Sequence, residues 1–267
     1  MIKLFLLLFL NTPASAITRN VELNQPGDIE SSVQLLTSTI QSREPRMVLL
    51  GEDHRDMLSK SFYKSVIQRL AARTSKRICY FHELSEDYQP ALEQISKSPE
   101  TAVQNFESHH TVLSKAFLEV FGRAPNHWLN VVQLVELSRK GVKQYAVDTV
   151  KTRDDLNNLK IALVKANESG DDKSLANVDE ILFRKRNEHM SAKIKEIFRR
   201  DKCDIGFLSV GGDHIFPLPR HDKVGIKGIG QILGTELDAL RVNAVTCQAP
   251  MECQVERTAD LNILFKP

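Results

Sequence analysis

"MVLLGEDHRD", Met47 to Asp56, sets a short apolar run against one glycine and then a cluster of charge at Glu52, Asp53, His54, Arg55 and Asp56. A run so short and apolar reads as a buried strand, and the charge after it marks where core meets solvent. The same construction returns in "IGFLSVGGDHIF", Ile205 to Phe216. Working outward, comparable strands are expected over 46–50, 77–84 ("RICYFHEL"), 142–148 ("VKQYAVD"), 204–211 ("DIGFLSVG"), 242–247 ("VNAVTC") and 260–265. Most are nearly continuous apolar runs, which suits a sheet covered on both faces. Helical stripes separate them. Phe62, Val66 and Leu70 mark a helix from Ser59 to Arg73, and Ile229, Leu233, Leu237 and Leu240 mark another. A third, near 177–200, carries Val178, Leu182, Met190, Ile194 and Ile197. This alternation predicts an α/β fold whose largely parallel or mixed central sheet is flanked by helices. Residues 86–140 and 152–200 exceed a minimal α/β unit. They read as helical cap insertions within a single domain spanning 17–267, the second turning at "NESGDDKS" (167–174).

The apolar (42%) and charged (26%) fractions are those of an ordinary globular protein. A formal charge of +2 gives no electrostatic case for a nucleic-acid partner. The short basic runs "FRKRN" (183–187) and "FRRDK" (198–202) lie among acids and read as solvated helix faces. The opening "MIKLFLLLFLNTPASA" has Lys3, an apolar run from Leu4 to Leu10, Pro13 and "ASA" at 14–16, the layout of a signal peptide cut after Ala16. Its apolar run is too short to span a bilayer. A secreted or periplasmic protein is expected, with no stable membrane anchor after cleavage. In that compartment cysteines can pair. The short loop "CQAPMEC" favours a Cys247–Cys253 bridge, and Cys79, within an apolar strand, reads as a buried thiol. No C-x2-C pair exists to build a four-cysteine zinc site.

In an open α/β sheet, ligands bind at the carboxyl ends of the strands. His54 follows the first expected strand after its glycine, Glu83 closes the second, Asp148 closes the third, and Asp213 and His214 follow the fourth. Singly, each has a plain structural explanation; an Asp after a strand commonly serves as a turn residue or helix cap. Together they mark one crevice. Gly51 and the Gly211–Gly212 pair are expected to supply the bends there, in two G-x-x-H units. Arg186 falls inside a core-facing stripe, between Leu182 and Met190. A desolvated, unpaired guanidinium costs several kcal/mol, so it needs Glu52, Glu83 or Asp148 as partner unless it snorkels to solvent. Asn187 stands ready to hydrogen-bond the same cluster.

Taken in order, "LLGEDH", the strand-terminal Glu83, "RNEHM" (186–190) and "VGGDH" (210–214) resemble the superfamily of Tiki proteases, erythromycin esterases and ChaN-like haem-binding proteins. The resemblance spans about residues 46–216. It implies Glu52, His54, Glu83, Arg186, Asn187 and His214 as the functional set; Asp53 and Asp148 have no firm counterpart. Its members include metal-dependent peptidases, esterases working without metal, and non-catalytic binders.

Two hydrolytic schemes use these residues on a small-molecule or peptide substrate. In one, His54, Glu83 and His214 hold a divalent metal whose bound water attacks. In the other, a histidine acts directly as base, Glu83 or Glu52 fixes its tautomer, and Arg186 stabilises the oxyanion. The alternatives are noncovalent haem binding, with axial ligands from His54, His109, His110, Tyr63 or Tyr145, and a non-catalytic secreted interaction protein. No G-x-S-x-G elbow is present, and "HEL" (82–84) lacks the second histidine of a zinc peptidase helix. Strand alternation turns His82 away from Glu83, toward a structural role.

Overall fold

The structure, a computed structural model, describes residues 19–23, 29–52, 56–95, 97–98, 131–149, 152–234, 236–246 and 259–265, with positions 101, 104, 115, 119 and 120 between them. The strands are β1 (Arg19–Leu23), β2 (Met47–Glu52), β3 (Ile78–Ser85), β4 (Lys143–Asp148), β5 (Ile205–Gly211), β6 (Ala239–Thr246) and β7 (Leu261–Phe265). They form one seven-stranded sheet in the order β1-β7-β6-β2-β5-β3-β4. Every ladder is parallel, so the α/β reading holds and the mixed sheet is dropped. β1 was not among the expected strands, because "RNVEL" is too polar to announce itself.

Side-chain parity decides which helices cover which face. Val48, Leu50, Ile78, Tyr80, Phe207 and Val242 pack against α1 (Ile29–Arg43) and α2 (Met57–Arg73) through Leu36, Ile40, Phe62 and Val66. The alternate residues Met47, Leu49, Phe81, Leu208 and Val210 pack against α7 (Lys185–Asp201) and α10 (Ile229–Leu233) through Met190, Ile194, Phe198 and Ile229. The short α3 (Gln89–Gln94) and α4 (Val131–Arg139) close the β4 end of the α1–α2 face, where Leu92 and Leu134 pack with Ala146. Further helices are α5 (Arg153–Ser169), α6 (Asp172–Asp179), α8 (Gly212–Ile215) and α9 (Pro219–Lys223), with a π-turn over Glu180–Arg184.

From β1 to β4 the chain travels one way across the sheet with its helices on the first face. It then returns through β5 to β7 with helices on the second. β5 thereby enters between β2 and β3. Connections leaving β2 and β3 turn to one face and those leaving β4 and β5 to the other. The divergence falls beside β5 at the carboxyl edge, where such sheets take their ligands.

Three expectations change. The stripe through Leu237 and Leu240 is not one helix: α10 stops at Leu233, with Gly234 after it, and Leu240 lies in β6 opposite Val48. Pairing with the central strand outweighs a helical period already weakened by Gly228, Gly230 and Gly234. The stretch 152–200 divides. α5 and α6, joined at the left-handed Gly170 (φ 62°), carry a small core of Ala162, Ala166 and Val178, whereas α7 is a layer of the main core. Finally, Cys79 is no free thiol. It is bonded to Cys203, with Cα atoms 5.8 Å apart, because β5 is seated beside β3. Cys247 and Cys253 lie outside the described residues.

This cystine closes a loop with a sequence separation of 124 residues. By chain entropy its loss should cost about 5 kcal/mol. Peptide mapping without reduction should recover Cys79 linked to Cys203, and the Cys79→Ala/Cys203→Ala double variant should unfold at lower denaturant. Two free thiols in oxidised protein would refute the bond.

Candidate functional site

The site begins with Arg186, in the first turn of α7 on its sheet-facing side. Its Nε and Nη2 donate to the two carboxylate oxygens of Asp148 at 2.9 and 2.7 Å. Nη2 also donates to Glu83 Oε1. Nη1 donates to the Leu182 carbonyl at 3.3 Å and to His214 Nε2 at 3.2 Å. A guanidinium has five N–H groups, and all five are engaged. Burial alone would pull Arg186 down. The charges of Asp148 and Glu83, with their hydrogen bonds, outweigh it and hold the group above the ordinary arginine range. Asp148 is fully buried and also accepts from the Thr149 amide at 2.9 Å, so the cap role open to it from sequence is minor beside the arginine.

Glu83 and His214 complete the wall. Glu83 Oε2 accepts the Gly211 amide at 2.8 Å, tying β3 to the end of β5. Asn187 is 1% exposed; its amide nitrogen donates to the Lys227 carbonyl at 2.9 Å, which turns its oxygen toward His214 Nδ1 at 2.6 Å. Nδ1 therefore carries the proton, and the Nε2 lone pair faces Arg186. Glu83 Oε1 lies 3.4 Å from that same Nε2. Asp213 is exposed beside the site.

The structure thus brings together Glu83, Asp148, Arg186, Asn187 and His214. His54 lies outside the described residues, although its neighbours Glu52 and Asp56 stand at the carboxyl edge, Asp56 capping α2 through the Leu58 amide at 2.9 Å. Glu52 is turned elsewhere. Two residues beyond Leu50, it shares the α2 face of the sheet, where it accepts from Ser209 at 2.6 Å and lies 3.8 Å from Lys60. It is not the partner of Arg186. Gly51 acts differently from expectation: a Cβ there would come within 2.8 Å of the Phe216 ring, so this residue makes room rather than a bend.

His82 faces the α2 side with Tyr80, ring centroids 4.1 Å apart. Gln144 spends its amide N–H groups on the Leu134 carbonyl and Ser138, leaving its oxygen for His82 Nε2 at 3.1 Å. Burial pushes this imidazole down to about 4, against weaker upward pulls from Gln144 and Glu52.

Of the metal set expected from sequence, His54 lies outside the described residues, while both nitrogens of His214 and both oxygens of Glu83 are already engaged within the protein. Among the described residues no group of three His, Cys, Asp or Glu is placed to hold a metal ion. Of the haem ligand candidates, His54, His109 and His110 lie outside the described residues. Tyr63 is fully buried and donates to the Gly51 carbonyl at 2.5 Å, and Tyr145 donates to Asp201 at 2.6 Å. Neither phenol opens on the crevice. A further group was not foreseen from sequence: Phe183 of the π-turn, with Asp179 and His221 behind it.

No family model and no curated protein matches the chain. Two solved structures are similar to it. One is ChaN of Campylobacter jejuni, described as binding haem cofacially: 11% identity over 81% of this chain and 85% of that one, TM-score 0.45. The other is the type III effector HopBA1: 12% identity over 91% of this chain and 94% of that one, TM-score 0.47.

Arg186→Ala should destabilise the fold by about 3–5 kcal/mol, because Glu83 and Asp148 would keep their charge without its counterion. Arg186→Lys should recover little, since an ammonium cannot fork onto Asp148. Denaturant titration measures both, and a neutral Arg186→Ala would show the cluster to be solvated.

A second expectation concerns pH. The folded state holds His82 at about 4 against an ordinary 6.5, so between those values the unfolded chain binds the extra proton. Its contribution is complete above about pH 6.5 and is lost as pH falls toward 4, about 3 kcal/mol in all. Urea unfolding at pH 7.5 and 4.5 should show this loss in the wild type and a smaller one in His82→Phe. Equal losses would place the titration elsewhere.

Proposed function

We propose that the chain is an exported hydrolase that cleaves a small ester or peptide bond with water activated by His214, without a metal ion. The carrying observation is that His214 Nε2 has two neighbours of opposite kind, a donor in Arg186 Nη1 at 3.2 Å and an acceptor in Glu83 Oε1 at 3.4 Å. Neutral His214 accepts from the arginine. Once it takes a proton, Nε2 can no longer accept and turns its new N–H toward Glu83.

That exchange gives a sequence of steps. Water loses a proton to His214 Nε2 as its oxygen attacks the carbonyl carbon. Arg186 Nη1 is released from His214 at that moment, and its N–H is available to the oxyanion that forms. Collapse breaks the carbonyl bond to the leaving group, and the proton on Nε2 passes to that group. Asn187 holds the ring in one tautomer throughout. Asp148, bonded along the far edge of the guanidinium, keeps Arg186 in place while one of its contacts is exchanged. His54 lies outside the described residues and is assigned no step. Glu52, bonded to Ser209, is assigned no chemical step.

Export is supported by the N-terminal sequence and by the Cys79–Cys203 bond, since such bonds persist in oxidising compartments. Among the described residues no helix is long and apolar enough to cross a membrane.

Purified protein should be screened against chromogenic esters and short peptides with and without chelator. The expected result is activity that survives chelation and falls about 100-fold or more in His214→Ala and Glu83→Gln. Loss on chelation with recovery on adding zinc would overturn the metal-free scheme. Full activity in His214→Ala would sink the hydrolase assignment.

A further inference from the structure

The hydrolase reading leaves a second imidazole unused. His221, in α9, is fully buried, and its Nδ1 accepts the Leu218 amide at 3.2 Å. That bond puts the ring proton on Nε2, which has no hydrogen-bond partner among the described residues and points toward Asp179 Oδ1, 3.5 Å away. Asp179 closes α6 and is itself buried, and Arg220 holds its two oxygens at 2.8 and 3.1 Å. Between His221 and His214 stands the Phe183 ring, with centroids 4.5 and 5.1 Å from theirs.

Phe183 reaches that place because the helix widens. Lys185 donates its amide to the Glu180 carbonyl, five residues back, so the turn Glu180–Arg184 holds one residue more than an α-helical turn. Such turns occur mostly as single insertions and are frequent at functional sites. The same turn is fastened to the segment after β5: Arg184 donates to the carbonyls of Val224 at 2.5 Å and Gly225 at 3.2 Å.

We infer that Asp179, His221 and Phe183 are positioning residues for His214, acting through the Phe183 ring to keep its Nε2 on the line between Arg186 and Glu83. His214 is held at Nδ1 by Asn187 and at Nε2 by Arg186 Nη1. Hydrogen bonds at the two ring nitrogens leave the ring free to tilt about the line that joins them. The tilted contact with Phe183, at 52° between planes, removes that freedom from one side. Phe183 is in turn backed by the ring of His221, and His221 by the buried carboxylate of Asp179. A purely apolar wall would need neither a buried histidine nor a buried aspartate, each of which is costly to desolvate.

The inference rests on the hydrolase reading for its purpose, but its test reads His214 directly and needs no substrate. Long-range 1H–15N correlation on labelled wild-type protein should show His214 as a single Nδ1–H tautomer. In Phe183→Leu and in Asp179→Asn the two His214 nitrogen resonances should move toward each other as the ring samples both tautomers, and Phe183→Tyr should restore the wild-type separation. Asp179→Asn serves where Phe183→Leu fails to fold. An unchanged His214 pattern in either folded variant overturns the inference, as does a Phe183→Tyr protein that fails to recover it. A wild type that hydrolyses nothing would count against the hydrolase reading alone, leaving the nitrogen shifts to decide this one.

Discussion

A guanidinium cannot shed its charge, so an arginine buried under a sheet dictates what must surround it. Arg186 requires acceptors for five N–H groups within one side chain's reach, and it finds them on four elements. Asp148 ends β4, Glu83 lies near the end of β3, Leu182 offers a carbonyl from the π-turn, and His214 belongs to α8. None of these partners is adjacent in sequence to another. The cluster therefore forms only when the strands are in register and α7 is seated. It is a poor source of net stability, because desolvation consumes most of the Coulomb gain, but a strict condition on geometry.

The sheet order supplies that geometry. If β5 lay at an edge, the connection to α8 would carry His214 away from Glu83. Inserted between β2 and β3, β5 brings the Gly211 amide onto Glu83 and Cys203 onto Cys79, at opposite ends of the same strand pairing. The cystine fixes the amino end and the carboxylate the carboxyl end. Between them, Phe81 and Phe198 stack with ring centroids 6.1 Å apart, fastening α7 to the sheet at mid-height. Register is thus held at three levels along one face, and Arg186 stands at the level where precision matters.

How much of this was legible in the sequence follows from where burial leaves a mark. The six expected strands were readable because two covered faces leave continuous apolar runs, while β1, polar and at the sheet edge, left none. Arg186 was readable as a charge inside an apolar stripe, and Glu83 and Asp148 as strand-terminal acids. Glu52 looked equivalent to Glu83 but sits on the other face; its parity with Leu50, against that of Glu83 with Phe81, carried the distinction. The Cys79–Cys203 pairing was not readable, since it depends on β5 lying beside β3, which no local pattern states. Phe183, Asp179 and His221 were hidden for a related reason. The extra residue of the π-turn shifts the helical phase, and a count in steps of three and four cannot see it.

The proposed metal-free scheme asks something different of a site than a metal would. A divalent ion acidifies water by binding it, and the protein need only keep a coordination position open. A guanidinium binds no water as a ligand in that sense and lends only N–H groups directed along its fork. The proton must then go to a neighbouring base, and the charge that appears on the substrate must meet a donor that was occupied a moment earlier. In the proposed hydrolase His214 would meet both needs, because accepting the proton and releasing Arg186 Nη1 would be the same event at one nitrogen. Such a scheme would place the demand on the orientation of a single imidazole, and the surrounding chain contacts that ring or its partner from Asn187 and Lys227 to the aromatic wall of the π-turn.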